Sequence, residues 1–355
     1  NVAARIQGLA APNTLVLSPT TYRLVSEFFD CQDLGVRTLK GIAAPMAVYQ
    51  VLTESVVHHR LDAVAPTGLT PLIGREEELA LLQRRWEQAK DREGQVVLLS
   101  GEPGIGKSRL VRELRNRVEQ DKAIRIEFRC SPYYQNSALH PVIEHVQRLL
   151  QRQKEDTVQS RTAKLQATLA RYCFPQVDTL ALFAALLSLP HPANAPPLTL
   201  SPQRQKQKTE EALIAWLIEE ADRAPLYCAW EDLHWADPST LELLGRLIDQ
   251  TPTTRLFVLL TGRPEFIPPW GQHGHVSQLT LSRLGRRQVP QMIEKATGGK
   301  PLPTEVVQQI VAKTDGVPLF VEELIKMVLE SGLLTETDGH YELSRPLPPL
   351  AIPST

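Results

Sequence analysis

The alternation of polar and apolar positions changes its rhythm at Pro71. Before it the apolar runs are short. Residues 3–9 space their apolar side chains as a helix does, and 14–17 read as a brief strand. Ser18 stands where an N-cap belongs, with Pro19 at the first helical position, and opens a helix expected to run to Phe29. Runs at 34–39 and 46–52 read as strands around a Lys40-Gly41 turn. The pattern predicts a compact α+β piece over 1–52. Residues 53–70 carry His58, His59, Pro66 and Gly68 without periodicity, which predicts a linker. The adjacent histidines have no nearby partners of metal-ligand spacing.

After Pro71, helical spacing alternates with almost continuous apolar runs. That is the signature of an α/β fold whose parallel sheet is covered on both faces. Residues 75–90 form an amphipathic helix, and 95–99 the first buried strand. Further strands are expected at 124–128, 226–230, 256–260 and 278–281. A long helical insertion ending in the proline-rich 190–197 separates the second from the third. From 286 the pattern turns helical, including 304–313 and 319–332, and 333–343 holds short strand-like runs around Thr337-Asp-Gly339. The organisation expected is therefore 1–52, a linker at 53–70, an α/β core at 71–285, a helical piece at 286–332 and a last segment at 333–355.

Composition narrows the function classes. Hydrophobic residues make up 42% and charged residues 22%, with a net charge of −1, so no global field draws the chain to nucleic acid or an anionic membrane. The longest apolar run, 180–189, falls short of the roughly 18–20 residues that span a bilayer. Cys31, Cys130, Cys173 and Cys228 lack CxxC or metal spacing, which points to reduced thiols in the cytoplasm. A start at Asn1 and an end just after a proline-rich stretch lead us to expect a fragment of a longer protein.

The strongest chemical signal is Gly101-Glu-Pro-Gly-Ile-Gly-Lys-Ser108, which fits G-x-x-x-x-G-K-[ST]. Chance supplies such a match in roughly one chain in a hundred of this length. Here a buried-type strand precedes it, and a helix with Leu110, Val111, Leu114 and Val118 follows. Gly101, Gly104 and Gly106 let backbone N–H groups converge on phosphate oxygens, and the helix N-terminus adds favourable partial charge. Lys107 is placed for the β- and γ-phosphates and the Ser108 hydroxyl for Mg2+. Ile105 and Arg109 complete the expected nucleotide-contacting stretch. ATP and Mg2+ are thus the expected cofactors.

A P-loop enzyme also needs acid at a neighbouring strand end. The run 226–230 leads straight into Glu231-Asp232. Glu231 is the expected metal-side carboxylate, and Asp232 the group that orients or deprotonates water. The commonest order is Asp then Glu, so the two roles are open to exchange. At the next strand end Thr261-Gly-Arg263 offers a cation for charge developing at the γ-phosphate.

Taken together these motifs resemble the signal-transducing (STAND) branch of AAA+-like ATPases, over 71 to about 343. Leu72-Ile-Gly-Arg-Glu76 looks like the family's opening motif, which implies Gly74 and Arg75 near the adenine. Glu231-Asp-Leu-His-Trp-Ala-Asp237 is similar to its acidic-strand motif, and Thr261-Gly-Arg263 to its sensor. Gly316-Val-Pro-Leu319 resembles the lid motif, which implies that Pro318 packs on the nucleotide. The last segment resembles the start of a winged helix. The resemblance implies a switch, closed with ADP and opened by ATP and an activating ligand.

The first 52 residues resemble the C-terminal end of a class III adenylate or guanylate cyclase domain, a ferredoxin-like α+β fold. The residues carrying this are Asn1 and Arg5, one helical turn apart, the following strand, and Thr38-Leu-Lys40-Gly41. By that resemblance Asn1 orients the ribose, Arg5 stabilises the transition state and Lys40 contacts the triphosphate. The paired metal aspartates of such a domain belong to its first half, so the cyclase part is expected to be inactive alone.

The expected function is an ATP-binding, slowly hydrolysing signalling switch fused to a cyclase remnant, exchanging ATP and ADP and either self-associating or regulating the cyclase intramolecularly. A non-enzymatic ATP-binding scaffold or transcription regulator, and a mechanical AAA+ ATPase, are the alternatives.

Overall fold

The computed structural model describes residues 2–26, 29–39, 45–54, 71–151, 156–174, 178–337 and 339–346. It divides into two compact units, Asn1–Pro71 and Leu72–Thr355.

In the first unit, α1 (Val2–Gln7) precedes β1 (Leu15–Leu17), α2 (Pro19–Val25), β2 (Phe29–Arg37) and β3 (Met46–Glu54). The strands form an antiparallel sheet in the order β1-β3-β2, pairing Leu15 with Val51 and Arg37 with Met46. Ile6, Leu39 and Val48 are its buried centre. Ser18 caps α2, accepting from the Thr21 N–H at 3.2 Å. The helix expected to reach Phe29 ends at Val25, where the Ser26 N–H bonds the Tyr22 carbonyl. Phe29 instead opens β2 opposite Glu54, because seven residues of the strand find ladder partners on β3 that another helical turn would forgo. β2 likewise starts five residues before the expected 34 and stops at Arg37. Asn1, the Lys40-Gly41 turn and the stretch 55–70 with His58 and His59 lie outside the described residues.

The second unit holds a five-stranded parallel sheet in the order β5-β6-β7-β4-β8: β4 is Gln95–Ser100, β5 Ile124–Arg129, β6 Leu226–Glu231, β7 Leu256–Gly262 and β8 Val276–Thr280. Every residue of β4, β6 and β7 is buried, which explains their unbroken apolar runs. Alternate side chains serve opposite faces. Val97, Leu99, Tyr227, Ala229, Phe257 and Leu259 meet α3 (Glu76–Lys90) and α4 (Lys107–Val118) through Leu82, Trp86, Leu110 and Leu114. Leu98, Phe128, Cys228, Trp230 and Leu260 face the other way. That side is closed by α5 (His140–Leu149), α6 (Val158–Leu169), α7 (Thr179–Leu186), α8 (Pro202–Arg223) and α9 (Pro238–Gln250).

Three helices, α10 (Gln288–Ala296), α11 (Thr304–Thr314) and α12 (Pro318–Glu330), have their own core of Met292, Ile310, Val321 and Leu324. The hairpin of β9 (Leu334–Thr337) and β10 (His340–Leu343) leans on it through Leu334, Tyr341 and Leu343. Among the described residues no helix is long and apolar enough to cross a membrane.

Candidate nucleotide site at the carboxyl edge of the sheet

Parallel register decides which loops meet. Ser100 of β4 pairs with Gly262 of β7, and Trp230 of β6 with Leu260 of β7. The chain therefore leaves β4, β7 and β6 along one carboxyl edge, at Gly101, Arg263 and Asp232. Ligands of open α/β sheets bind outside that edge.

Between β4 and α4 the loop turns on two glycines in the left-handed region, Gly104 at φ +74° and Gly106 at φ +103°. Gly106 is the N-cap of α4 without a side-chain cap, so the first N–H groups of a twelve-residue helix face the loop. Ile105 is buried and anchors the loop from below. Lys107 is only 9% exposed, and its Nζ donates to the carbonyls of Gly101 at 2.7 Å and Glu102 at 3.0 Å. Burial lowers its pKa, while Asp232 opposes that shift and Arg263 adds to it. Ser108 follows in the first turn. Burial also lowers Arg109, opposed first by Glu322 of α12.

At the end of β6, Glu231 is 3% exposed, and its carbonyl accepts from the Cys130 N–H at 3.0 Å. Asp232 adopts φ +61°, donating its N–H to Thr261 Oγ1 at 2.9 Å. Its carboxylate lies 3.5 Å from Arg129 Nε at the end of β5. A 3-10 turn, Leu233–Trp235, follows. Burial lowers the His234 pKa, and among the described residues neither ring nitrogen has a hydrogen-bond partner. The Arg263 guanidinium sits over the Trp235 ring, 5.2 Å from its centroid, and 4.0 Å from Glu265. Asp237, by contrast, is a cap: it accepts from the N–H groups of Ser239 (3.0 Å), Thr240 (3.1 Å) and Leu139 (3.3 Å).

The two remaining sequence motifs meet the loop from outside. Gly74 has φ +66°, and a Cβ there would lie 2.2 Å from Gln288 Nε2 of α10. Arg75 is 4% exposed, and its guanidinium donates to the carbonyls of Ile105 (3.3 Å) and Ser282 (2.5 Å) and to Glu78 (3.0 Å). Its side chain thus braces the loop. Gly316, at φ +74°, approaches Leu284 so closely that a Cβ would lie 2.4 Å from the Leu284 carbonyl oxygen. Pro318 opens α12, and the next N–H, of Leu319, donates to the Gly104 carbonyl at 3.2 Å. Arg283 grips Glu102 in a two-oxygen contact at 2.9–3.1 Å and also bonds Asp315.

The residues fit ATP with Mg2+ in chemical type. A glycine cradle, a helix N-terminus and Lys107 suit phosphate, and Gly106 has no heavy atom within 4 Å of where a Cβ would stand. Ser108 and Glu231 are hard oxygen donors of the kind Mg2+ takes singly or in pairs, with water and phosphate filling the rest. Among the described residues no cluster of three or more His, Cys, Asp or Glu could cage a metal. Cys130 and Cys228 are pushed up to about 12, chiefly by burial, which keeps them out of thiol chemistry here.

The fold brings together Gly101, Gly104, Ile105, Gly106, Lys107, Ser108, Arg109, Arg75, Asp232, Glu231, Arg263 and the turn at Pro318. Of the cyclase set, Arg5 is exposed on α1, and Asn1 and Lys40 lie outside the described residues. Sequence reasoning passed over Arg129, Trp235, Glu102 and Arg283. Trp235 and Glu102 carried a local signal, their places in the Glu231–Asp237 and Gly101–Ser108 motifs.

A family model for an AAA ATPase domain matches residues 71–259. An uncharacterised protein of Rhizobium meliloti (strain 1021) is 30% identical over 340 residues, covering 93% of this chain, which spans only 32% of that relative's length. Among solved structures, a STAND protein with a tetratricopeptide repeat sensor from Pyrococcus horikoshii is 14% identical, with a TM-score of 0.40, covering 72% of this chain and 30% of its own. A point variant of RuvB from Thermotoga maritima is 15% identical, with a TM-score of 0.40, covering 76% and 64%.

Proposed function

The chain belongs to the AAA ATPase domain family, and from that premise we propose that residues 71–332 are a slowly hydrolysing ATP switch of the signal-transducing (STAND) kind. The carrying observation is the bond from the Leu319 N–H to the Gly104 carbonyl, at 3.2 Å. A helical piece that touches the phosphate loop itself has a different optimum with and without a γ-phosphate, and that difference is what drives a switch.

In this reading Lys107 and the loop N–H groups hold the β- and γ-phosphates, and Ser108 and Glu231 hold Mg2+. When bound, the metal neutralises phosphate charge. Asp232 orients the attacking water and accepts its proton as the bond from water oxygen to the γ-phosphorus forms and the bridging bond to the β-phosphate oxygen breaks. Arg263 stabilises charge building on the γ-phosphate oxygens. Arg129, beside Asp232, sets where that carboxylate rests. Gly74 and Pro318 border the adenine side.

The test separates binding from turnover. Glu231→Gln and Asp232→Asn are each expected to lower kcat by about 100-fold, with ATP affinity within about threefold of wild type. Equal loss of both would remove the catalytic assignment, and negligible turnover by the wild type would favour the scaffold reading.

We also propose that residues 1–52 are the end of a class III cyclase domain, with 333–355 beginning a winged helix. Support comes from Asn1, Arg5 and the Thr38-Leu-Lys40-Gly41 run. This chain is expected to form no cyclic nucleotide from ATP or GTP, as chromatography of the products checks; measurable product would overturn the remnant reading.

A further inference from the structure

We propose that Trp235 is a positioning residue that holds the Arg263 guanidinium ready for the terminal phosphate. The inference rests on the reading of Arg263 given above. Arg263 leaves the end of β7, whose residues are all buried, so its backbone is fixed while its side chain remains about a third exposed. Two groups receive the guanidinium: the Trp235 ring, 5.2 Å from centroid to guanidinium carbon, and Glu265 at 4.0 Å. Glu265 is exposed and at the limit of an ion pair, so it restrains the arginine little.

Trp235, in contrast, is partly buried on a backbone turn fixed at both ends. Its N–H donates to the Asp232 carbonyl at 2.9 Å, and the Ala236 N–H to that of Leu233 at 3.0 Å. The turn is pinned to β7 by the bond from the Asp232 N–H to Thr261 Oγ1, and to α9 by the Asp237 cap. The ring also packs against the core face that holds Trp230 and Leu260. A side chain so fixed is a shelf at the sheet's carboxyl edge.

What the shelf presents follows from guanidinium chemistry. A carboxylate partner occupies the N–H donors of an arginine. An aromatic face takes the flat side of the ion and leaves all five donors pointing outward in the plane. Those are the donors a phosphoryl group needs, in the fork geometry that matches its oxygens. The guanidinium is also near the loop, since the Arg263 charge acts on both Lys107 and His234. Phosphate, carrying more charge than Glu265, draws the arginine along the ring without lifting it off.

Steady-state ATP hydrolysis tests this. Trp235→Leu is expected to lower kcat by about threefold to tenfold while KM for ATP stays within about twofold, and Trp235→Phe to retain most of the rate. In an Arg263→Ala background Trp235→Leu is expected to cost nothing further, because the residue it positions is gone. An equal loss in both backgrounds would show a merely structural role and overturn the proposal, as would an unchanged kcat in the single variant. If Arg263→Ala alone hydrolyses at the wild-type rate, the reading of Arg263 itself falls, a failure distinguishable from the first. Should circular dichroism show that Trp235→Leu does not fold, Trp235→Met fills the space without a π face and is judged by the same criteria.

Discussion

At the scale of single residues, His145 shows what this core does to a titratable group. It lies on α5 with its ring 5.1 Å from that of Phe128 and 5.7 Å from that of Trp216. Burial first, then the nearby Arg148 charge, pushes its pKa down to about 4, with Glu127 opposing. The fold thus favours the neutral ring. Its contribution is fully present above the ordinary histidine value near 6.5, and is lost as pH falls toward 4, because the unfolded chain binds the proton first. Between pH 7 and pH 5 the loss amounts to about 2 kcal/mol from this group. Urea unfolding at the two pH values checks it: the wild type is expected to lose more stability than His145→Phe by about that amount. Equal losses would remove His145 as the cause.

At the scale of elements, the helical piece is built around one close approach. Gly316 stands at φ +74° with the Leu284 carbonyl where a side chain would begin, and Leu284 returns a bond to the Gly316 carbonyl at 2.8 Å. Gly316→Ala incurs about 1–3 kcal/mol of backbone strain before any clash is counted. A lower melting temperature by calorimetry, by a few degrees, is the expected outcome. An unchanged melting temperature would mean that this approach does not hold the piece in place. The same element shows why parts of the fold were legible. β4, β6 and β7 could be read because strands buried on both faces are apolar along their middles, with polar residues confined to their ends, and α11 and α12 because their apolar stripes have helical spacing. β2 could not be bounded, since Phe29 fits a helix by pattern and a strand by pairing. Nothing local decides between them until β3 arrives to pair with it.

At the scale of the whole molecule, the candidate site is drawn from six separated segments, around residues 74, 101–109, 129, 231–235, 263 and 316–319. The loop and the acidic strand end were readable because each is a contiguous motif with its own chemistry. Arg129 and Arg283 were not, because nothing in their neighbours along the chain sets them apart. Arg129 meets Asp232 through the β5–β6 register, and Arg283 meets Glu102 through the turn after β8. Trp235 falls between, visible in a motif but without a role until β7 places Arg263 over it. The chain forms two compact units and spans 32% of the Rhizobium relative's length.

Lys107 is the centre of the proposed nucleotide site. Its amino group is buried within the loop, bonded to the carbonyls of Gly101 and Glu102, where phosphate oxygens would draw it away. Titration with a fluorescent ATP analogue in the presence of Mg2+ tests this most directly. Lys107→Ala is expected to weaken binding by about 100-fold, the worth of its charge-assisted bonds to two phosphates, with the fold unchanged by circular dichroism. An affinity equal to that of the wild type would contradict it.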